Sequence, residues 1–253
     1  MNKDICWLLK DKYNYSVNQI SKFDINTASL NICQDIDRVA NGEPVNYVIG
    51  WQEFLGCKID LSYKPLIARV ETEFWLKYVI DSIQMTNNNI SVLDLCCGSG
   101  CIGISVLKHI SKSFVTFSDI SDNAISQTKL NLKINNITPE RCTVVKSDLF
   151  EYIDTKFDFI FANPPYVDRN GFVPDSLKFE PEIAIFASDN GMEIIKIILG
   201  QFDNYLKLSG QLFMEFGYKQ EETIKDILIN TGKNNINIIQ DQYNVNRVLH
   251  YRF

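Results

Sequence analysis

Apolar residues change their spacing along the chain, and the changes mark out its elements. From Met1 to about Asn41 they recur at helical intervals, as at Ile5, Leu8 and Leu9 and again at Leu30, Ile32, Ile36 and Val39, which predicts a small helical unit. From Phe54 to Leu61 apolar residues flank Gly56, the pattern of a hairpin or an extended linker. Helical spacing returns from Glu71 to Met85 through Phe74, Trp75, Tyr78, Val79 and Ile83. Thr72 is its expected cap, and the run Asn87, Asn88, Asn89 is the turn that follows. The pattern divides the chain into a helical unit at 1–50, a hairpin or linker at 51–70 and a larger unit at 71–253.

The larger unit alternates between short apolar runs and longer amphipathic ones. Strands are predicted near Val92 to Leu95, Phe114 to Asp119, Thr143 to Lys146, Phe157 to Ala162, Gln211 to Phe216, Ile236 to Gln240 and Val248 to Phe253. Helices fit Cys101 to Ile110, Ser121 to Asn135, Met192 to Tyr205 and Lys219 to Ile229. Such alternation implies βαβ units, an α/β fold whose mostly parallel sheet is covered by helices on both faces. Ligands of that architecture bind outside the carboxyl ends of the strands. The residues that end each strand therefore carry the functional signal.

Composition narrows the class. A hydrophobic content of 45% with 22% charged residues suits a globular chain with a sizeable core. The formal net charge of −6 argues against indiscriminate nucleic-acid binding. Seven cysteines, with Cys96 and Cys97 adjacent, make a poor disulfide framework and suit reduced thiols in a cytoplasmic setting. His109 and His250 lie far apart and no Cys-x-x-Cys pair occurs, so no metal site is expected. The amino terminus lacks the apolar stretch of a secretory signal, and no run of about 18 apolar residues predicts a membrane span.

The chemistry-bearing residues fall at the strand ends. After the first strand of the larger unit, Gly98, Gly100 and Gly103 form a Gly-x-Gly-x-x-Gly loop, which suits a dinucleotide or S-adenosylmethionine. Asp94, just before the loop, opposes a pyrophosphate and suits the ammonium group of a methionine moiety; its bland alternative is to bridge loop amides. Asp119 ends the second strand, where an acid commonly holds both hydroxyls of an adenosyl ribose. Behind it, Ser121 and Asp122 are expected to cap a helix. Asp148, after the third strand, is placed beside an adenine, with Leu149 and Phe150 flanking the ring.

The fourth strand, Phe157 to Ala162, closes on Asn163, Pro164, Pro165 and Tyr166. Two prolines fix φ and remove two donors, leaving a stiff turn rich in acceptors. A planar NH2 group is a poor nucleophile and needs orientation more than force. The Asn163 side-chain oxygen and the Pro164 carbonyl can each accept one of its N–H groups, with the Tyr166 ring packed on its flat face. The alternative is an ordinary proline-rich turn.

On these residues the chain resembles the release-factor glutamine N5-methyltransferase family (HemK/PrmC type), from about Glu43 to Phe253. The matching stretches are Glu43 to Gly50, Glu53 and Phe54, Glu71 to Glu73, Asp94 to Gly103, Ser147 to Phe150, Asn163 to Val167, Phe179 to Pro181, Asp189 to Met192, and Arg247 with Val248. The resemblance implies a class I (Rossmann-like) methyltransferase with a mostly parallel seven-stranded sheet, preceded by a small helical domain that docks a protein substrate. The cofactor it implies is S-adenosyl-L-methionine. Its acceptor would be the glutamine amide in the Gly-Gly-Gln loop of a class I peptide chain release factor. Carried over by position, Asp94, Cys96, Gly98 and Gly100 hold the methionine end, Asp119 the ribose, and Asp148 with Leu149 the adenine side. Asn163 and Pro164 orient the glutamine amide, with Pro165 and Tyr166 completing the turn. The chain departs from the family's pattern at Ala68, Arg69, Val70, where Pro-Arg-Pro is usual, and at Cys96 and Cys97, where smaller residues are more common.

Two other readings use the same residues. A nucleic-acid amino-methyltransferase would apply the turn to an exocyclic base amine flipped into the pocket; the acidic balance stands against it, and no stable nucleic-acid binding is expected. A nonenzymatic S-adenosylmethionine-binding module would leave the Asn163 to Tyr166 turn without a purpose.

Overall fold

The computed structural model describes residues 2–84, 88–171 and 174–253. Side-chain caps start the front helices. Asn2 accepts the Asp4 N–H before α1 (Lys3–Asp11), Ser16 and Gln19 cap α2 (Val17–Ser21) reciprocally, and Ser29 accepts the Ile32 N–H before α3 (Leu30–Ala40). With α4 (Val45–Ile49) these helices enclose a separate small core that includes Leu8, Leu9, Ile32, Ile36 and Val48. Glu43, just before α4, accepts from Arg38 at 2.8 and 2.9 Å and from Lys64 at 2.8 Å. The Arg38 hydrogen bond is the main cause that pulls the Glu43 carboxyl down to about 2, and the Lys64 bond ties the front helices to the segment behind the hairpin.

The alternation around Gly56 encodes a hairpin: β1 (Trp51–Phe54) pairs antiparallel with β2 (Cys57–Asp60), through a turn with positive φ at Leu55 and Gly56. Helix α5 (Val70–Gln84) follows. Thr72 does not cap it. The helix begins two residues earlier, so Thr72 lies in its first turn and is 1% exposed, facing the sheet. Met85 and Asn87, the expected end of this helix and start of the asparagine turn, lie outside the described residues.

The remaining elements are β3 (Ile90–Leu95), α6 (Cys101–His109), β4 (Ser113–Asp119), α7 (Asp122–Ile134), β5 (Cys142–Lys146) and β6 (Phe157–Ala162). They continue with β7 (Val167–Asp168), β8 (Phe186–Ala187), the single turn α8 (Ser188–Gly191), α9 (Glu193–Gln201), β9 (Leu206–Glu215), α10 (Glu221–Asn230), β10 (Ile236–Gln240) and β11 (Asn246–Arg252). The short parallel pair β7–β8 had no periodic signal, being only two residues long on each side.

Seven strands form one sheet in the order β10-β11-β9-β6-β3-β4-β5, and only β11 runs against the others. The chain runs outward from β3 through β4 to β5, then returns to the other side of β3 with β6. The switch point thus lies between β3 and β6, where this architecture opens a crevice. Helix α6 is buried along its first seven residues, Cys101 to Leu107, so it reads as apolar all round. It seats tightly on the sheet: a Cβ on Gly103 would come within 2.3 Å of the Phe117 ring.

Candidate active site

Strand register builds the site. Leu95 of β3 pairs with Ala162 of β6, and Ala162 pairs with Met214 of β9. The next residues, Cys96 and Asn163, therefore leave their strands level with Glu215, the last residue of β9. Leu95 also pairs with Ser118 and Asp119 with Lys146, which sets Asp119 and Asp148 progressively along the rim.

Two chambers open at this level. One, of about 330 Å³, is walled by the loop from Leu95 to Ser99, by Asp119, Asp148, Leu149 and Pro165, and is roofed by Tyr63 to Leu66. The other, of about 380 Å³, is walled by Pro44 and Asn46 of the front unit, Arg69, Pro164, Tyr166 and Glu180. Asn163 belongs to both, together with Leu66 and Ala184. The turn thus presents alternate residues to the two sides: Pro164 and Tyr166 to the larger chamber, Pro165 to the smaller.

The glycine loop is held from two directions. Cys96, Gly98 and Gly100 take positive φ values of 58, 54 and 77°, so the cysteine occupies a left-handed position that glycine fills without strain. From α7, Thr128 donates to the Gly98 carbonyl at 3.1 Å and Asn131 to the Ser99 carbonyl at 2.9 Å. From β4, Asp119 accepts the Gly98 N–H at 2.9 Å with one oxygen and the Ser121 N–H at 2.9 Å with the other. Burial raises the Asp119 carboxyl above its usual range, against the pull of these amides. Ser121 caps α7 by accepting the Ala124 N–H, as its position implied.

Asp94 stands behind the loop and not on a chamber wall. Its Oδ2 accepts the Gly103 N–H at 2.9 Å, the bridging role, while its buried Oδ1 has no partner among the described residues. Burial pushes this carboxyl up to about 8, and the charge on Asp119 adds to the push. Cys96 is raised too, by burial and by the charges of Asp119, Asp94 and Asp148 together. The three strand-end acids thus converge on the Cys96 position. Such a cluster of acids, two of them held above their usual range until a cation arrives and one with an oxygen left unsatisfied, fits a ligand that brings positive charge and opposes a pyrophosphate.

On the adenine side, Asp148 and Leu149 reach the chamber, but Phe150 does not. Leu149 holds φ at 48°, and its carbonyl accepts from Ser118 and Ser147. That turn sends Phe150 back into the core, where it stacks on Tyr205 with ring centroids 4.4 Å apart. The expectation that Phe150 flanks a ligand ring is therefore corrected.

Sequence reasoning missed what holds the turn. Gly191, at φ 80°, packs so closely that a Cβ there would lie 2.1 Å from the Tyr166 carbonyl oxygen. Gln220 bridges the same region, donating to the carbonyls of Tyr166 at 2.9 Å and Asn190 at 3.2 Å. On the rim, Glu180 is 6% exposed and accepts from Arg69 at 2.8 Å and from the Ile67 N–H at 2.9 Å. Below the turn, Asn163 donates to the Thr72 hydroxyl at 3.4 Å, and Glu215 accepts the Trp75 indole N–H at 2.7 Å. The signal for Glu215 was available: a lone acid inside the apolar run Phe213, Met214, Phe216.

A sheet with one reversed strand, a glycine loop at its switch point and acids at three strand ends define a class I, S-adenosyl-L-methionine-dependent methyltransferase. Residues 77–176 match the family model of the methyltransferase small domain. The chain is 32% identical over 240 residues to the release factor glutamine methyltransferase of Francisella tularensis subsp. tularensis, covering 94% of this chain and 84% of that one. It is also 32% identical over 235 residues to the bifunctional methyltransferase of Rickettsia typhi, covering 85% of this chain and 45% of that one. It thus spans about half the length of the bifunctional relative. Among solved structures, the hMettl16 catalytic domain in complex with the MAT2A 3'UTR hairpin 6 shares the fold, with a TM-score of 0.65 at 18% identity, covering 98% of this chain and 92% of that one. The chain belongs to the release factor glutamine methyltransferase family.

Proposed function

We propose that this protein methylates the side-chain amide nitrogen (N5) of the glutamine in the Gly-Gly-Gln loop of class I peptide chain release factors. The observation that carries the reading is Asn163, the shared wall of a chamber lined by acids and a chamber reaching the front unit. A cofactor on one side and a glutamine on the other would meet across that residue.

When bound, S-adenosylmethionine supplies a methyl group on a positively charged sulfur, electrophilic without acid or base assistance. The chain's own residues supply alignment. Asn163 Oδ1 and the Pro164 carbonyl accept the two N–H groups of the acceptor amide, which turns its nitrogen toward the cofactor chamber. Tyr166 borders the acceptor chamber and packs against the amide plane. Asp119 takes the ribose hydroxyls with its remaining lone pairs, and Asp148 with Leu149 borders the adenine. Asp94 acts one layer back, through the Gly103 N–H and through its charge. No general base is required, because the amide nitrogen gains acidity only as its bond to carbon forms.

Pro44 and Asn46 give the front unit a share of the acceptor chamber, which suits a protein substrate larger than one side chain. Among the described residues no helix is long and apolar enough to cross a membrane. The test is transfer of labelled methyl from S-adenosylmethionine to purified class I release factor, beside a variant whose Gly-Gly-Gln glutamine is replaced. Total RNA and DNA serve as parallel acceptors. Label on the normal factor alone supports the reading, and label on nucleic acid instead overturns it in favour of a base-modifying enzyme.

A further inference from the structure

We infer that Asn46 is a specificity-determining residue that accepts a main-chain N–H of the protein substrate beside the glutamine, and that Gln52 is the positioning residue that turns the Asn46 amide oxygen to that task. The inference rests on the proposed function and names the group that the front unit reads. Asn46 lies on α4 and walls the acceptor chamber. An asparagine amide has an accepting end and a donating end of nearly the same shape, so its neighbours decide which end a substrate meets.

Two hydrogen bonds decide it, and their polarity is anchored at a carbonyl. The Ala68 backbone carbonyl can only accept, so Gln52 must turn its Nε2 toward it, at 3.2 Å. Gln52 Oε1 is then the end that faces Asn46, and it accepts from Asn46 Nδ2 at 3.2 Å. With Nδ2 committed, Asn46 is left with Oδ1 as its outward end. That oxygen takes no hydrogen bond among the described residues, and it is not one of the buried unpartnered atoms, Asp94 Oδ1, Glu215 Oε2 and Gln242 Oε1. It is therefore open to solvent on a half-buried residue.

Placement supports a reading of the substrate's main chain. Gln52 belongs to β1 and is buried, and Ala68 directly precedes Arg69, so the relay joins the front unit to the rim of the site. Elsewhere the chamber wall is apolar at Pro44, Ile67, Leu177 and Ile185, and the charges of Arg69 and Glu180 answer each other at 2.8 Å. An accepting oxygen in such a wall is hydrated while the chamber is open. Once a substrate fills the chamber, that oxygen needs a donor, and leaving it without one is costly. The glutamine's own amide is taken up at Asn163 and Pro164. The donor that every non-proline residue beside it carries, whatever its side chain, is the main-chain N–H.

The test uses the full chain with Asn46→Ala and Gln52→Met. Its acceptors are a class I release factor and versions of it from cell-free translation in which ester links replace, one at a time, the main-chain N–H groups at and next to the Gly-Gly-Gln glutamine. In wild type one ester should lower kcat/KM about tenfold, chiefly through KM. Asn46→Ala should show about the same tenfold loss on the normal factor and no more than about a twofold further loss on that ester, because the contact is already gone. Gln52→Met keeps the oxygen but frees its orientation, and should raise the acceptor KM about threefold. Affinity for S-adenosylhomocysteine by calorimetry should stay within about twofold in both variants, which also reports that they fold. A further readout needs no acceptor: in 15N-labelled protein the Asn46 side-chain N–H that meets Gln52 is protected from solvent exchange in wild type and loses protection in Gln52→Met. No ester penalty in wild type, an equal penalty in wild type and Asn46→Ala, an unchanged acceptor KM in Asn46→Ala, or unchanged exchange in Gln52→Met overturns the inference alone. A wild-type protein that labels no release factor overturns the functional reading and the inference with it, and the exchange measurement still decides whether the relay exists.

Discussion

The chambers on either side of Asn163 are built in opposite ways. The smaller draws its chemistry from consecutive strand ends, Leu95 to Ser99, Asp119, Asp148 and Asn163, in chain order. The larger is assembled from segments far apart in sequence: Pro44 and Asn46, Arg69, Pro164 with Tyr166, and Glu180 with Ile185. One is fixed by register within a sheet, where a residue's place follows from its neighbours' pairing. The other depends on a few long-range bonds, chiefly those that bring Arg69 and the Ile67 N–H to Glu180. The acidic wall of the smaller chamber is thus locally encoded, and the larger chamber is a product of tertiary assembly.

Variants can break this contrast at its common wall or on either side alone. The largest effect belongs to Gly191→Ala, whose Cβ would lie 2.1 Å from the Tyr166 carbonyl oxygen at φ 80°. It should displace the turn, lower stability by about 3 kcal/mol and reduce turnover more than about 100-fold, measured by thermal unfolding and methyl transfer. Asp119→Ala removes the acceptor of the Gly98 and Ser121 amides. Cofactor affinity should fall about 100-fold by calorimetry, with KM for the protein acceptor within about twofold. Arg69→Met strips the partner from buried Glu180 and should act in the reverse sense, raising acceptor KM about tenfold while cofactor affinity stays within about twofold.

A smaller effect is expected in pH dependence. With its folded pKa pushed up to about 8, Asp94 binds its proton more tightly in the folded state than in the unfolded one. Its contribution to stability is present at low pH and is lost as pH rises from about 4 through about 8. Free of ligand, wild type should therefore melt a few degrees below Asp94→Asn at pH 8 and approach it at pH 4, by scanning calorimetry. Saturating S-adenosylmethionine should narrow the gap at pH 8 by bringing positive charge to the glycine loop. A gap that ignores ligand would remove the electrostatic role given to Asp94.

The same contrast explains what the sequence made legible. The alternation of strands and helices, the acids at strand ends and the Asn163 turn all follow from period, capping and register, which are local. Glu215 was overlooked because an acid inside Phe213, Met214 and Phe216 sits in a run that reads as plain core strand. Thr72 was misread as a cap because Val70 extends the helix past it, and its hydroxyl turns inward to Asn163. Phe150 was placed on the ligand because nothing local announces the left-handed Leu149 that sends it to Tyr205. The Arg69–Glu180 pair spans 111 residues, a distance at which no periodicity speaks.

The central claim is that Asn163 orients the acceptor from a wall that both chambers share. Asn163→Ala tests it most directly, with cofactor affinity measured by calorimetry and turnover by labelled methyl transfer on the same preparation. Turnover at least about tenfold lower, with affinity within about twofold of wild type, is the predicted result. Unchanged turnover would contradict the claim, as would a loss of affinity equal to the loss of rate.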